Sequence, residues 1–309
     1  MPFISIVTPC YNEEENVEDL YQQVKSILSE LDGYAYEHIF IDNASTDKTV
    51  PILRRIASFD KNVKVIVNTR NFGQVRSPYH ALLQATGEAI IGMAADFQDP
   101  PTLVPEFIRK WEDGYKMVLG VKRSSAESPV MFALRSLYYR LLGKVSEIRL
   151  IHNFTGFGLF DKSVVDILKT LNDRYPYFRG LIADIGFEYA TVEYGQPVRK
   201  RGVTKNNFYT LYDLAMLGMT SHSKVPLRLA TMLGFGVAII SLLVAVAYTI
   251  YKLLFWSNFS VGAAPLVVGL FFFGAVQLIF IGIIGEYVGA IHTQVLDRPL
   301  VVEKERINF

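Results

Sequence analysis

The chain has 309 residues, room for one large or two modest domains. Its formal net charge of +1 gives no bulk field for nucleic acid, and its one cysteine, Cys10, excludes an internal disulfide and fits a reducing compartment. The hydrophobic fraction of 50% and mean hydropathy of +0.24 are high for a soluble enzyme, and the excess lies mostly after Leu229.

No basic start or cleavage site precedes Phe3–Val7, so no signal peptide is expected. Phe3 to Pro9 predicts a first strand. The acid-rich run Asn12-Glu13-Glu14-Glu15-Asn16 predicts the opening of a helix that ends near Gly33, with carboxylates at its positive end. Glu37 to Asp42 predicts a second strand, Asn43 to Asp47 a turn, and the stretch through Leu53 and Ile56 a helix. Val63 to Val67 predicts a third strand, Asn71-Phe72-Gly73 a turn, and the following segment a helix to about Thr86. Strands alternating with helices argue a doubly wound, mostly parallel sheet whose polar strand ends share one crevice.

The apolar run Ala89-Ile90-Ile91-Gly92 then predicts a buried central strand, followed by Met93-Ala94-Ala95-Asp96-Phe97-Gln98-Asp99-Pro100-Pro101. Asp96 falls at the carboxyl end, where open α/β sheets bind ligands, and Pro100 and Pro101 suit the first turn of a helix. A carboxylate and an amide oxygen two residues apart, Asp96 and Gln98, can share a hard cation; alternatively, Asp96 caps the helix starting near Thr102. Met117 to Val121 predicts a further strand, Phe132 to Leu142 a helix, Phe154 to Phe160 an extended segment and Phe187 to Tyr194 a late strand. A basic run, Arg199 to Lys205, follows.

Asn206 to Ser223 predicts an amphipathic helix with Phe208, Leu211, Tyr212, Ala215 and Met219 on one side, lying in a membrane interface or packed in a core. Leu229 through Tyr251 carries no charge over roughly 23 residues, long enough to span a bilayer. Leu253 through Gly285 is again uncharged, with Trp256 to Pro265 as the turn and Leu266 to Ile284 as the second span. Lys224 and Arg228 precede this hairpin and Arg298, Lys304 and Arg306 follow it, which puts both termini in the cytoplasm, with Lys252 as a snorkelling exception. The expected organisation is a cytoplasmic α/β domain over 1–205, a juxtamembrane helix over 206–226, a transmembrane hairpin over 227–286 (spans at about 229–254 and 265–285) and a cytoplasmic tail over 287–309. Gly285 and Gly289 have a small-xxx-small spacing that suits helix association and a homo-oligomer. The scattered histidines His38, His80, His152, His222 and His292 show no metal spacing and are read as structural.

Several segments together carry a family resemblance. Ser5-Ile6-Val7-Thr8-Pro9-Cys10-Tyr11-Asn12-Glu13 resembles the opening of inverting glycosyltransferases with the GT-A fold, and Asp42 to Asp47 resembles their second nucleotide-binding turn. Arg70 to Gly73, Ala94 to Pro101, Arg199 to Lys205 and Gly285-Glu286-Tyr287 with Arg298-Pro299 are similar to the polyprenyl-phosphate branch, which includes dolichyl-phosphate mannose synthase and bacterial undecaprenyl-phosphate glucosyltransferases. The resemblance implies that Pro9, Tyr11, Glu13 and Asp42 hold base and ribose, with Asn71 and Ala95 also at the substrate. It implies that Asp96 and Gln98 hold Mg²⁺ or Mn²⁺ on the diphosphate, and that Arg199, Arg201 and Lys205 grip a phosphate. Asp96, Arg201 and Lys205 are then the catalytic set. From the residues alone, Tyr11 could simply pack, Asp42 could cap a turn, and the basic run could attract anionic lipid, although Gly202 and Thr204 suit a shaped phosphate loop.

The resemblance further implies a UDP-sugar, ahead of a GDP-sugar, as donor, a polyprenyl phosphate as acceptor, and a multi-pass protein of the inner (plasma) membrane; the net charge of +1 argues for no nucleic-acid partner. Three departures stand out. Ala94 replaces the first acid of the usual Asp-x-Asp, Asn43 and Ala44 replace Asp and Gly in the second turn, and Gly156 replaces an acid in a Gly-Asp-Phe segment. Asp161 and Asp184 are the acids to examine as substitutes for the last.

Overall fold

The computed structural model describes residues 1–123, 151–197, 208–255 and 263–309. Its strands are β1 (Phe3–Cys10), β2 (Ala35–Asp42), β3 (Val63–Asn68), β4 (Ala89–Gly92), β5 (Met117–Lys122), β6 (Phe154–Asp161), β7 (Tyr189–Tyr194) and β8 (Glu303–Ile307). The helices are α1 (Val17–Ser29), α2 (Thr49–Phe59), α3 (Gly73–Gln84), α4 (Val104–Glu112), α5 (Lys162–Leu171), α6 (Phe178–Ile185), α7 (Phe208–His222), α8 (Val225–Leu254) and α9 (Ala263–Val295).

The strands form one sheet in the order β7-β5-β6-β4-β1-β2-β3-β8. The block β4-β1-β2-β3 is parallel, as the alternation of elements predicts. β6 then pairs antiparallel with both β4 and β5, and β7 is parallel to β5. Apolar side chains leave both faces of the central strands. Ile4, Ile6 and Phe40 pack with α1, α2 and α4 residues such as Leu20, Leu53 and Phe107. Val7, Ile39, Ile41 and Ile90 pack on the other face with α3, α5 and α6 residues such as Leu82, Leu168 and Ile182. Each fully buried side chain of this kind contributes roughly 1.5–3 kcal/mol relative to exposure, so two cores hold the sheet rigid beneath the strand ends.

Three boundaries differ from expectation. The acids at 13–15 belong to a turn rather than to the helix: Asn12 has φ 55°, the Glu13 carbonyl accepts from Asn16 N and Val17 N, and α1 starts only at Val17. β4 has four residues, so Asp96 stands on a loop beyond the strand end. The helix expected near Thr102 begins instead as a 3-10 turn, Pro101–Leu103, with Pro101 in its first turn and Pro100 as its N-cap, and α4 starts only at Val104.

The largest difference concerns the C-terminus. Residues 287–309 do not form a tail. α9 continues to Val295, and β8 returns to the sheet antiparallel to β3, covering its edge. Asn308 Nδ2 donates to the carbonyls of Ala57 (2.7 Å) and Val63 (2.8 Å), and Leu300 and Val301 are buried. His80 bonds Glu303 at 2.6 Å, a structural role consistent with its reading in the sequence.

α8 and α9 contain two apolar stretches, Val225–Tyr251 and Gly269–Val295, each 27 residues long with mean hydropathy 2.5 and 1.9. They are long and apolar enough to cross a membrane, and none of the apolar window is buried in the protein. α9 has 33 residues, about 50 Å at 1.5 Å per residue, and so outruns a bilayer core of about 30 Å. Its last turns rest on α7: Tyr212 Oη bonds Glu286 (3.2 Å), and Tyr287 Oη donates to the Ser223 carbonyl (2.5 Å). The buried face of α7 runs through Leu217 and Gly218, whereas Tyr212, expected on the apolar side, is 46% exposed. The side chains of Phe208 and Leu211 lie outside the description. α7 also meets α6, where His222 fills the space above Gly180; a Cβ on Gly180 would stand 2.3 Å from His222 Nε2.

Candidate active site

The carboxyl ends of β1, β2 and β3 carry a polar crevice built from short side chains that bond backbone. Asn12 N donates to Ser45 Oγ (2.8 Å), and Thr46 N donates to Asn12 Oδ1 (2.8 Å). Glu13 N donates to Thr49 Oγ1 (2.9 Å), and Asn16 Nδ2 donates to Glu13 Oε2 (2.7 Å). Asn43 accepts from Phe72 N (2.8 Å) and donates to Asn71 Oδ1 (2.9 Å), which ties the second turn to the start of α3. Ala44 has φ 62°, a left-handed conformation that costs a non-glycine residue about 1–2 kcal/mol. The motif's usual glycine would take it freely, and this chain holds the turn with hydrogen bonds instead.

Asp42 sits under this network at the end of β2. It is fully buried, and its Oδ2 accepts from Ser45 N (2.9 Å). Its Oδ1 is buried with no hydrogen-bond partner among the described residues. Burial pushes its carboxyl above the usual aspartate range, against the lowering effect of the Ser45 bonds. A buried acceptor without a donor is costly, on the order of 1–3 kcal/mol, unless a ligand N–H or O–H completes it.

β4 feeds the next loop. Asp96 is 5% exposed, and its Oδ1 accepts from Gln98 N (3.1 Å). Phe97 between them has φ 60°. The capping alternative for Asp96 fails, because the 3-10 turn and α4 have no side-chain cap. Sequence reasoning missed Asp99. Its Oδ2 accepts from Ala94 N (2.9 Å) and its Oδ1 from Tyr194 Oη (3.2 Å), so it fastens both ends of the loop. Burial, with the Asp96 charge adding to it, pushes the Asp99 carboxyl up to about 6. The repeat Asp96-Phe97-Gln98-Asp99 was the available signal.

The donor set fits a hard divalent cation of the kind shared with phosphates. Two adjacent carboxylates and the Gln98 amide are present, yet no group of three or more His, Cys, Asp or Glu that could hold a metal occurs among the described residues. Such a set leaves coordination positions for phosphate oxygens and water.

A cavity of about 320 Å³ adjoins this loop. Its walls are largely apolar: Val7, Val75, Tyr79, Leu82, Met93, Phe157, Phe178 and, from α7, Leu214. Pro9, Ala94 and Asp99 line it on the side of the strand ends, and Gln74, Thr155 and Arg179 are its other polar residues. Gly156 also lines it, with φ 110°, a conformation only glycine takes readily. An acid at this position would strain the backbone, so its absence goes with the local fold. Asp161 does not substitute. β6 runs antiparallel to β4, which places Gly158 beside Gly92 at the site end and Asp161 beside Ala89 at the far end. There it accepts from Ser163 N (3.0 Å) as the cap of α5 and from Trp111 Nε1 (2.8 Å). Asp184 is exposed on α6 and does not line the cavity.

Asp42, Glu13, Asn71, Asp96 and Gln98 thus stand at or just beyond the carboxyl ends of neighbouring strands, and Pro9 lines the cavity. Tyr11 is half-buried beside Asn12. Ala95 packs its methyl in the core, leaving only its backbone for a ligand. Arg199, Arg201 and Lys205 lie outside the described residues, as does the helix predicted over 132–142.

A parallel block with polar groups at its strand ends, extended by an antiparallel β6, defines a mixed α/β fold with its candidate site at the carboxyl edge of the sheet. The model of glycosyl transferase family 2 matches residues 5–168. The chain is 36% identical over 304 residues to the SfII prophage-derived bactoprenol glucosyl transferase of Shigella flexneri, covering 98% of this chain and 97% of that one. It is 35% identical over 298 residues to an uncharacterised glycosyltransferase of Synechocystis sp., covering 96% and 93%. It is 35% identical over 303 residues to a prophage bactoprenol glucosyl transferase homolog of Escherichia coli, covering 97% and 98%. The chain belongs to glycosyl transferase family 2 and is a glycosyltransferase with the GT-A fold.

Proposed function

We propose that the chain transfers a sugar, glucose before others, from a nucleotide sugar to a polyprenyl phosphate at the cytoplasmic face of the inner (plasma) membrane. The observation that carries this reading is the junction of a polar crevice with an apolar cavity whose outer wall, Leu214, belongs to the helix leading into α8. Full-length similarity to proteins named bactoprenol glucosyl transferase supports the same acceptor class.

In this reading the unpartnered Asp42 oxygen accepts from the base, with UDP ahead of GDP as carrier. The 12–16 and 43–49 turns position the ribose, with Pro9, Tyr11, Glu13, Asn71 and the Ala95 backbone at the substrate. Asp96 and Gln98 hold Mg²⁺ or Mn²⁺, which when bound neutralises charge developing on the leaving diphosphate. A phosphate oxygen of the acceptor attacks the anomeric carbon, the bond to the nucleoside diphosphate breaks, and the diphosphate leaves with the electron pair, inverting the centre. A phosphate monoester has a second pKa of about 6 and is mostly a dianion at neutral pH, so the attacking oxygen has no proton to lose. The chain's residues then hold two anions in line, Asp99 by fixing the 94–99 loop and Arg199, Arg201 and Lys205 by charge.

Incubation with labelled UDP-glucose, undecaprenyl phosphate and Mg²⁺ should give label extractable into organic solvent. Label confined to a soluble or glycolipid acceptor would overturn the acceptor assignment, and no turnover with any donor would favour a degenerate, non-catalytic relative. The orientation has its own test. Asn258→Cys in a Cys10→Ser background should react with an impermeant thiol reagent on intact cells; labelling only after lysis would invert the hairpin.

A further inference from the structure

Three arginines gather where α9 returns to the catalytic domain. Phe72, buried at the start of α3, has the Arg70 guanidinium 4.0 Å and the Arg76 guanidinium 5.4 Å from its ring centre. Arg76 Nη2 donates to the Pro299 carbonyl, which brings Arg298 to the same place. Arg76 Nε is buried with no hydrogen-bond partner among the described residues. Burial lowers the Arg76 pKa, and the like charges of Arg70 and Arg298 lower it further, whereas Tyr175 raises it. None of the three forms an ion pair among the described residues. The acids nearest in the chain are committed elsewhere: Asp297 pairs with Arg174, and Glu303 with His80 and Arg306.

Uncompensated guanidiniums held together repel one another, by more where burial lowers the local dielectric. Such a cluster is stabilised by an anion, and planar forks match phosphate oxygens. The location narrows the source. Arg298 stands three residues beyond Val295, where the apolar stretch of α9 ends. That end is fixed to the catalytic domain, since Gln294 Nε2 donates to Asp173 Oδ1 (2.6 Å) and Arg174 Nε to Asp297 Oδ1 (2.6 Å). We propose that Arg70, Arg76 and Arg298 form a docking surface for the phosphate of an anionic membrane lipid, seating the catalytic domain on the bilayer beside α9. The proposal rests on the membrane reading of α8 and α9 and not on the acceptor, so it survives a failure of the acceptor assignment.

The same phosphate chemistry could come from the nucleotide diphosphate, and the test separates the two. Full-length protein in neutral detergent is titrated with phosphatidylglycerol or phosphatidylcholine while its thermal midpoint is read; a second arm titrates UDP with Mg²⁺. A ligand that binds the folded state raises the midpoint. The wild type should respond to phosphatidylglycerol and not to phosphatidylcholine. Arg298 is exposed, so Arg298→Gln preserves the fold; it should need about fivefold more phosphatidylglycerol for the same shift, the equivalent of about 1 kcal/mol per surface charge. Arg76→Gln combined with Arg298→Gln should need more again, and Arg298→Lys should recover most of the response. The UDP curve should not move with Arg298→Gln. Superposed phosphatidylglycerol curves for wild type and Arg298→Gln, or no response to that lipid at all, would overturn the proposal. Loss of the UDP response with the lipid response intact would assign the phosphate to the nucleotide and overturn it equally.

Discussion

The crevice and the cavity are neighbours across Pro9, Ala94 and Asp99, yet they are built in opposite ways. The crevice is made from consecutive strand ends of the parallel block, and its turns are locked by short hydrogen bonds such as Asn12 to Ser45 and Asn43 to Phe72 N. It tolerates Ala44 and Phe97 in left-handed conformations, strain that persists only where surroundings over-determine the backbone. The cavity is assembled from distant segments, β1, α3, β6, α6 and α7, and is walled by aromatic and aliphatic groups. The difference suits two ligands of different character. One is a polar nucleotide read by fixed donors and acceptors. On the proposed function, the other would bring an apolar chain past α7 to a single reactive phosphate. Substitutions should therefore separate cleanly, with donor binding changing on one side and acceptor use on the other.

The largest effect should come from Asp96, at the edge of both halves. Asp96→Asn should lower turnover by about 10²–10³ or more, the range for removing one centre of transition-state charge stabilisation. Metal-dependent nucleotide binding should fall with it while circular dichroism stays native. Near-normal activity of a folded Asp96→Asn protein would remove the metal site from this account.

An intermediate effect should follow from Gly156→Asp, which restores the resembling motif's acid. The backbone at φ 110° resists any side chain, and a carboxylate about 8 Å from a bound phosphate at an effective dielectric near 20 repels it by roughly 2 kcal/mol for each unit of phosphate charge. Apparent acceptor affinity should drop at least about thirtyfold, the repulsion of one phosphate charge at about 1.4 kcal/mol per tenfold, with the donor KM unchanged. A gain in activity would show that the cavity lacks a base it needs.

The smallest effect concerns Asp99, which belongs to both halves by structure and not by reaction. Its folded pKa is about 6 against an ordinary 3.8, so the folded state keeps the proton longer than the unfolded one. The stabilisation this provides is complete below about pH 3.8 and is lost as pH rises through 6, on the order of 3 kcal/mol in all. Thermal midpoints of the metal-free, nucleotide-free protein should fall across that window, and Asp99→Asn should flatten the fall at a cost of a few-fold in turnover. An unchanged slope in Asp99→Asn would assign the pH dependence elsewhere.

How much of this the sequence disclosed follows the same division. The parallel strands were legible because Ile4 to Val7, Ile39 to Ile41 and Ile90 to Ile91 are apolar runs ending in Asn12, Asp42 and Asp96, and buried parallel strands require that pattern. β8 was hidden, because Glu303-Lys304-Glu305-Arg306-Ile307 is a charged edge strand whose ion-pair and ladder partners lie more than 200 residues earlier. Asp99 was hidden among oxygen ligands, since only the fold reveals that Tyr194 reaches it. Gly156 was read as a lost acid, whereas its dihedral makes it a required glycine. The direction of β6 settled Asp161, which no local pattern in the sequence could do.

The central claim is that the cavity presents a phosphate, and not a hydroxyl, to the anomeric carbon. The most direct measurement compares sugar transfer to undecaprenyl phosphate with transfer to undecaprenol of the same chain length, under one donor and metal concentration. The account predicts a glycolipid product from the phosphate and none above background from the alcohol, because among the described residues the only acid lining the cavity is Asp99, which is occupied in holding the loop. Comparable rates with both acceptors would contradict it and would require a general base that this reading of the cavity does not contain.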